Sequence, residues 1–173
     1  GNISAGVGPF AIDAGLVAAV EPVTTVRIHL TNTDNVIVAE VPVKDGRACV
    51  EGDFAIDGVP GTGSRITLDF SDTQGAQTGK LLPTGNAKDV FDFGERGKFE
   101  VSLVDAGNPL VFITAASLGM DGTETPAEID SNKPLMEKIE MIRGRAAVKF
   151  GLVEKEEDAA RLSPYVPFFA IVS

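Results

Sequence analysis

The sequence predicts an α+β fold, because its helix and strand patterns occur in separate blocks instead of alternating along the chain. Three observations support this prediction. Segments rich in β-branched residues follow one another between residues 23 and 70, a long helical pattern covers residues 132–151, and a single strand pattern comes after it. The length of 173 residues and the apolar content of 43% suffice for a core in one domain or in two small ones.

The first predicted element is a helix at the start of the chain. Asn2 and Ser4 precede an apolar stretch over residues 7–17, and both residue types are favoured where helices begin, since their side chains accept hydrogen bonds from unpaired N–H groups. Those N–H groups and the helix dipole can also hold a carboxylate or phosphate. On spacing alone, a cap or a cloning remnant explains Gly1-Asn2 better. Because no Met precedes Gly1, we expect the chain to be part of something longer.

A meander of strands follows this helix. Alternation and β-branched residues predict strands over residues 23–30, 36–43, 47–52 and 65–70. Asp45-Gly46 is a strong hairpin signal between the second and third of these strands. The next residues, 71 to 97, carry turn formers throughout and show little periodicity. We therefore predict a crossover or linker there.

The last part of the chain contains two strands, a long helix and a final strand. Strands are predicted over residues 98–104 and 110–114, a helical start over 126–130, the long helix over 132–151, and further elements over residues 154–161 (a short exposed helix) and 167–173 (a strand). The apolar positions of the long helix recur at helical spacing: Leu135, Ile139, Ile142, Ala146, Ala147 and Phe150. Gly151 is a suitable C-terminal stop.

Charge and cysteine usage exclude several functional classes. A net charge of −10 argues against nucleic acid and anionic membranes as partners, because both require a basic face. No run of about 18 apolar residues is present, so we expect no membrane span. Cys49 is the single cysteine, which excludes an internal disulfide and fits a reducing cytosol. We therefore expect a cytoplasmic protein.

The residues offer little support for metal or nucleophilic chemistry. His29 is the only histidine, and its place in an alternating strand favours an exposed or satisfied side chain over a general base. His29 and Cys49 match no zinc-ligand spacing, so we expect no metal, and Cys49 among apolar strand residues is typical of an inert core thiol. Residues 58–63 (GVPGTG) lack the Gly-Lys-Ser/Thr ending of a phosphate-binding loop, and we reject that role.

Asn108 is the more interesting polar residue. It lies in Gly107-Asn108-Pro109, and a following proline pushes an asparagine into an extended conformation that can direct its amide away from the chain path. An asparagine amide can both donate a hydrogen bond to a carboxylate and accept one from a carboxylic acid. On the residues alone, a plain turn between two strands is still the better interpretation.

Several blocks of the chain together resemble the PrpF family, which includes 2-methylaconitate isomerase, 4-oxalomesaconate tautomerase and 3-methylitaconate isomerase. The blocks are GNISAGVGPFAIDAGLV, VRIHLTNT, GDFAIDGVPGTGSRITLDF, TGKLLPTGN, VSLVDAGNPLVFI and IEMIRGRAAVKFGL. The resemblance implies a diaminopimelate-epimerase-like fold of two similar halves, each a curved mixed sheet wrapped around a central helix. It also implies proton transfer between carbons of a small di- or tricarboxylate, with no cofactor.

The resemblance also implies how the chain is divided and which residues bind. Residues 1–75 would be the later part of the first half, residues 76–97 a crossover, and residues 98–173 the early part of the second half, both halves being incomplete. The acid/base cysteine and lysine of the family would precede Gly1, so we assign no catalytic residue to this chain and expect it to be inactive alone. Lys80 and Cys49 do not align with that pair. The binding residues that carry over are Gly1, Asn2, Ser4 and Asn108.

The function implied by the resemblance is a double-bond shift in a small unsaturated tricarboxylate such as 2-methylaconitate. Two alternatives remain: a 4-oxalomesaconate tautomerase, and a non-catalytic binding or accessory protein that keeps the fold without the acid/base pair. Assembly into a homo-oligomer is compatible with each of them.

Overall fold

The computed structural model describes residues 3–173. The chain divides into two compact units, Gly1–Thr73 and Gln74–Ser173. Residues 76–97, which we expected to form a crossover, are counted with the second unit and contain a strand. Among the described residues, no helix is both long and apolar enough to cross a membrane.

The first unit is one helix packed on an antiparallel sheet. Its elements are α1 (Ser4–Asp13), β1 (Val23–Leu30), β2 (Asn35–Lys44), β3 (Arg47–Ala48) and β4 (Thr67–Asp69). The long strand β2 pairs with all three of the others, and each pairing is antiparallel. The predicted bounds of β1 are confirmed at both ends. Its alternate residues are buried, as the alternation of the sequence indicates. The third and fourth strands are shorter than predicted.

Helix α1 begins and ends earlier than the apolar stretch predicted. It covers Ser4–Asp13 instead of residues 7–17. Gly15 adopts a left-handed conformation with φ of 71°, and the N–H groups of Leu16 and Val17 both donate to the carbonyl of Ala11. The helix therefore ends at a residue with positive φ, and glycine is the residue type that adopts this conformation most easily. The apolar residues after Gly15 therefore belong to a connection and not to the helix.

The second unit is a mixed four-stranded sheet with helices. Its strands are β5 (Asp89–Asp92), β6 (Lys98–Asp105), β7 (Pro109–Thr114) and β8 (Phe168–Val172), and its helices are α2 (Ala115–Leu118), α3 (Pro126–Ser131), α4 (Lys133–Lys149) and α5 (Ala159–Leu162). The strand order is β5-β6-β7-β8. The first three strands pair antiparallel, and β8 runs parallel to β7. The α+β class is therefore confirmed.

Helix α4 covers this sheet with the apolar face that its spacing predicted. Leu135, Ile142, Ala146 and Phe150 are buried in one cluster with side chains of β5, β6 and β7. The helix starts where the Asn132 side chain accepts a hydrogen bond from the N–H of Leu135. The charged segment after α4 contains a 3₁₀ turn followed by α5, in place of one continuous helix.

Candidate functional site

Two of the four predicted binding residues, Gly1 and Asn2, lie outside the described residues. Ser4 is the first residue of α1, and its side chain is buried. Ile3 occupies the cap position and makes no side-chain cap hydrogen bond, and the first turn contains no acidic residue. The partial positive charge at this end of the helix is therefore not offset by a carboxylate within the first turn.

Asn108, the fourth predicted binding residue, lies in the turn between β6 and β7 and is exposed to solvent. Gly107 before it adopts a φ of 99°, and Pro109 after it is fully buried. Asp105 and Pro109 face each other in the strand register, so the turn is bracketed by two buried residues. Ser4 belongs to the first compact unit and Asn108 to the second.

Asp105 is the most strongly held polar side chain next to this turn, and no sequence pattern had indicated it. Asp105 has no exposed surface. Its Oδ2 accepts hydrogen bonds from the backbone N–H groups of Gln77 (2.9 Å) and Thr78 (2.7 Å) and from the Thr78 hydroxyl (2.9 Å). Its backbone N–H donates to the Leu81 carbonyl, and its carbonyl accepts from Gly75. The segment 75–81 is thereby fastened to the end of β6.

The glycines of that segment explain why it folds so tightly. Gly75 adopts a φ of 72°, and a Cβ placed on it would lie 2.4 Å from the backbone nitrogen of Lys80. The N–H of Gly79 donates to the carbonyl of Gly75 at 2.7 Å. Only a residue without a side chain fits at position 75. The signal in the sequence is the pair Gly75 and Gly79, four residues apart, which by itself predicts no more than a turn.

A second carboxylate organises the residues that follow. Asp89 at the start of β5 accepts hydrogen bonds from the Thr84 hydroxyl at 2.7 Å and from the Asn86 side-chain amide at 2.9 Å. The TGKLLPTGN block (residues 78–86) thus contributes hydrogen-bond donors to two separate carboxylates. We refer to them below as the Asp105 clamp (Asp105 with Gln77 and Thr78) and the Asp89 clamp (Asp89 with Thr84 and Asn86).

The shifted pKa values in the chain belong to surface pairs and turns. Lys98 lowers the pKa of Asp92 by a side-chain hydrogen bond, and the N–H of Gly94 lowers it further. In return, Asp92 raises the pKa of Lys98. The N–H of Asp121 lowers the pKa of Glu124. These exposed groups stabilise local turns, and they are not among the predicted binding residues.

The other residues that we considered take ordinary structural positions. His29 is half exposed on β1 and pairs with Asp34 at 2.9 Å, which confirms the expected exposed strand histidine. Cys49 is partly buried just after β3, and not inside a strand as expected, because β3 ends at Ala48. Over residues 3–173, no group of three or more His, Cys, Asp or Glu side chains is placed to hold a metal ion.

A cleft of about 370 Å³ lies beside α3 and α4 in the second unit. Its lining includes Leu118, Met120, Glu128, Asn132 and Lys138. Asn108 is not part of it. The cleft is therefore a feature separate from the predicted binding residue of this unit.

Comparison with known proteins gives consistent results in sequence and in structure. A family model described as "PrpF protein" matches residues 1–173. The chain is 52% identical over 173 residues to the 3-methylitaconate isomerase of Eubacterium barkeri, covering 100% of this chain and 45% of that protein. It is 36% identical over 179 residues to the 2-methyl-aconitate isomerase of Shewanella oneidensis, covering 98% of this chain and 45% of that protein.

The same similarity appears among solved structures. The crystal structure of methylitaconate-delta-isomerase superimposes with a TM-score of 0.91 and 52% sequence identity, covering 99% of this chain and 44% of that chain. This match confirms the diaminopimelate-epimerase-like fold that the resemblance implied. The chain spans less than half the length of these relatives.

Proposed function

The chain belongs to the PrpF family, and from this premise we propose that it is part of a cofactor-independent isomerase. The reaction moves a proton, and with it a double bond, in a small unsaturated tricarboxylate such as 2-methylaconitate. The observation that carries the reaction class is the match of nearly the whole chain, in sequence and in backbone, to methylitaconate isomerase. The choice of a tricarboxylate rests on the similarity to the 2-methyl-aconitate isomerase of Shewanella oneidensis.

Within this chain we assign binding, and not proton transfer, to the residues of the site. Removing a proton near a carboxylate requires a base and hydrogen-bond donors that stabilise the developing negative charge. The start of α1 at Ser4 supplies N–H donors and a favourable dipole for one carboxylate. We assign Gly1 and Asn2 to the same binding role on the family resemblance alone. The exposed amide of Asn108 supplies a donor for a substrate carboxylate in the second unit.

The net charge of the chain makes such local donors necessary. The chain carries a charge of −10, and a tricarboxylate is itself strongly anionic. Long-range electrostatics therefore oppose binding, whereas short hydrogen bonds from N–H groups favour it at the site itself. This combination supports directed recognition of carboxylates over binding by a broad basic surface.

The proposal is tested on the protein expressed from the complete reading frame that contains this chain. Ultraviolet assays with 2-methylaconitate, 4-oxalomesaconate and 3-methylitaconate would rank the substrates, since each double-bond shift changes the absorption of the conjugated acid. We expect the highest kcat/KM with 2-methylaconitate and deuterium uptake into the product in heavy water. Activity should survive dialysis against a chelator.

Each other outcome has a defined meaning. A higher kcat/KM with 3-methylitaconate would replace the proposed tricarboxylate with a dicarboxylate substrate. A higher kcat/KM with 4-oxalomesaconate would replace the proposed substrate with that of a tautomerase. Binding of these acids without turnover or deuterium exchange would favour the non-catalytic accessory protein. Loss of activity after chelation, restored by a metal ion, would contradict the cofactor-independent mechanism.

A further inference from the structure

The two carboxylate oxygens of Asp105 have different surroundings. Its side chain is fully buried, and Oδ2 accepts three hydrogen bonds, whereas the buried Oδ1 has no hydrogen-bond partner among the described residues. A buried acceptor without a partner destabilises the folded state. A buried group of this kind in a native structure calls for a specific explanation.

The position of Asp105 at the end of β6 suggests what the clamp does. Three residues further on lies Asn108, and the turn between them contains Gly107 with a φ of 99°. Pro109 is the register partner of Asp105 and has no N–H group to donate across the pair. The carbonyl of Asp105 accepts from Gly75 at 2.6 Å instead. The start of the turn is therefore fixed by the segment 75–81.

A further contact extends this attachment into the turn. Gln74 forms an isolated antiparallel bridge with Ala106, the residue between Asp105 and Gly107. The hydrogen bonds of the Asp105 clamp join residues 27 and 28 positions apart in the chain. Backbone contacts thus hold the chain up to Ala106, the residue immediately before Gly107 and Asn108.

We propose that Asp105 is a positioning residue for Asn108. Its Oδ2, by accepting from the amides of Gln77 and Thr78, holds the β6–β7 turn in the conformation in which the Asn108 amide meets a substrate carboxylate. The inference rests on the proposed function, because it takes Asn108 as the substrate-facing group of this unit. Asp105 itself is buried and acts through the turn.

Kinetics of the protein from the complete reading frame test this relationship. Asp105→Ala removes the clamp, and Asn108→Ala removes the amide. We expect each to raise KM by roughly 10- to 100-fold, the range that follows from misplacing a binding group. The double variant should be no worse than Asn108→Ala, because the two residues act through one contact. Additive effects on KM, or no effect of Asp105→Ala, would overturn the proposal.

Two matched variants separate positioning from simple loss of stability. Asp105→Asn keeps an oxygen for the amides of Gln77 and Thr78, so its KM should be much closer to the parent value than that of Asp105→Ala. Asp89→Ala breaks the neighbouring Asp89 clamp and should lower the melting temperature. It should leave KM at the parent value and show no coupling with Asn108→Ala. If Asp89→Ala raises KM as much as Asp105→Ala does, Asp105 has only a structural role.

Hydrogen exchange on the same protein provides a test that does not depend on turnover. Peptides covering residues 75–81 and 105–110 should exchange faster in Asp105→Ala, and at the parent rate in Asp105→Asn and Asp89→Ala. Unchanged exchange over residues 105–110 in Asp105→Ala would refute the positioning role. Absence of turnover with all three acids would count against the proposed function, while the exchange result would still decide whether Asp105 holds the β6–β7 turn.

Discussion

Gly8 of α1 lies directly on the side chain of Val41 in β2. A Cβ placed on Gly8 would be 2.7 Å from Cγ2 of Val41, 3.4 Å from Cβ of Ala39 and 3.8 Å from Cγ2 of Val26. Val41 and Ala39 have no exposed surface, so neither can move away into solvent. The missing side chain at position 8 is what allows α1, and with it Ser4, to approach the first sheet so closely.

Gly8→Ala should therefore destabilise the first unit by about 1–3 kcal/mol, because the added methyl group overfills a closed contact. Gly6 is the matched control, since it lies in the same helix and has no atom within 4 Å of a Cβ placed on it. Gly6→Ala should stabilise the helix by about 0.5–1 kcal/mol. Urea unfolding measures both. Equal effects of the two substitutions would contradict the proposed contact. In the Gly8→Ala background, Val41→Ala should recover part of the lost stability, because it makes room for the added methyl group.

Arg145 should not be replaceable by lysine. Its guanidinium carbon lies 3.7 Å from the ring centroid of Phe93, and its nitrogens donate to the carbonyl of Asp92 at 2.6 Å and to Glu156 at 2.7 Å. A lysine ammonium cannot stack flat on the ring while serving both acceptors. We expect Arg145→Lys to cost about 1–2 kcal/mol in thermal unfolding.

Arg161→Lys is the control for that substitution. Arg161 is exposed and donates to Asp158 at 2.8 Å. Exchange of an exposed ion-pair member should change stability by less than about 0.5 kcal/mol. A loss for Arg161→Lys as large as that for Arg145→Lys would contradict the assignment of the Arg145→Lys loss to its stacking on Phe93 and its two acceptors.

Stability should fall in acid partly because of Glu128. The N–H of Thr125, followed by its hydroxyl, lowers the pKa of Glu128 below its ordinary value of 4.5. A carboxyl whose pKa is lower in the folded state stabilises the protein above its unfolded pKa, and this contribution is lost as the pH falls through the folded pKa. Glu128→Gln should therefore reduce the slope of stability against pH below about pH 5.

Thr125→Val provides the graded comparison. It removes the hydroxyl that contacts Glu128 and leaves the N–H in place. The slope of the free energy of unfolding against pH should then lie between those of the parent and Glu128→Gln. Identical slopes in all three proteins, measured by urea unfolding from pH 3 to pH 6, would show that this carboxyl does not contribute to acid lability.

Replacement of Asn108 should change substrate binding according to charge. In the protein from the complete reading frame, Asn108→Ala should raise KM for the tricarboxylate by roughly 10-fold or more, as loss of a hydrogen bond to a charged group predicts. Asn108→Asp should be worse, because it places a second negative charge against the substrate carboxylate. Asn86→Ala is the control, since Asn86 bonds to Asp89 and should leave KM unchanged. A milder effect of Asn108→Asp than of Asn108→Ala would argue against a carboxylate at this position.

Local patterns identified most elements but not all of their bounds. The ends of β1 and the buried face of α4 followed from periodicity, because alternation and helical spacing record which side of an element meets the core. Strand β5 was missed, since its four residues are too few to show a period and the strand depends on pairing with β6. The end of α1 was also missed, because it depends on a glycine conformation and not on hydrophobicity.

The same distinction, between local patterns and tertiary contacts, applies to the fold class, the family and the candidate site. The sequence alone determined the α+β class and, through blocks distributed over the chain, the family. Asn108 was selected through that resemblance and stays a prediction. Only the tertiary structure decided that Gly8 fits against Val41 and that Asp105 clamps the segment 75–81. Both depend on contacts between residues about thirty positions apart. A pattern of neighbouring residues contains no record of such a pairing, because the same Gly or Asp would be equally acceptable in an ordinary turn.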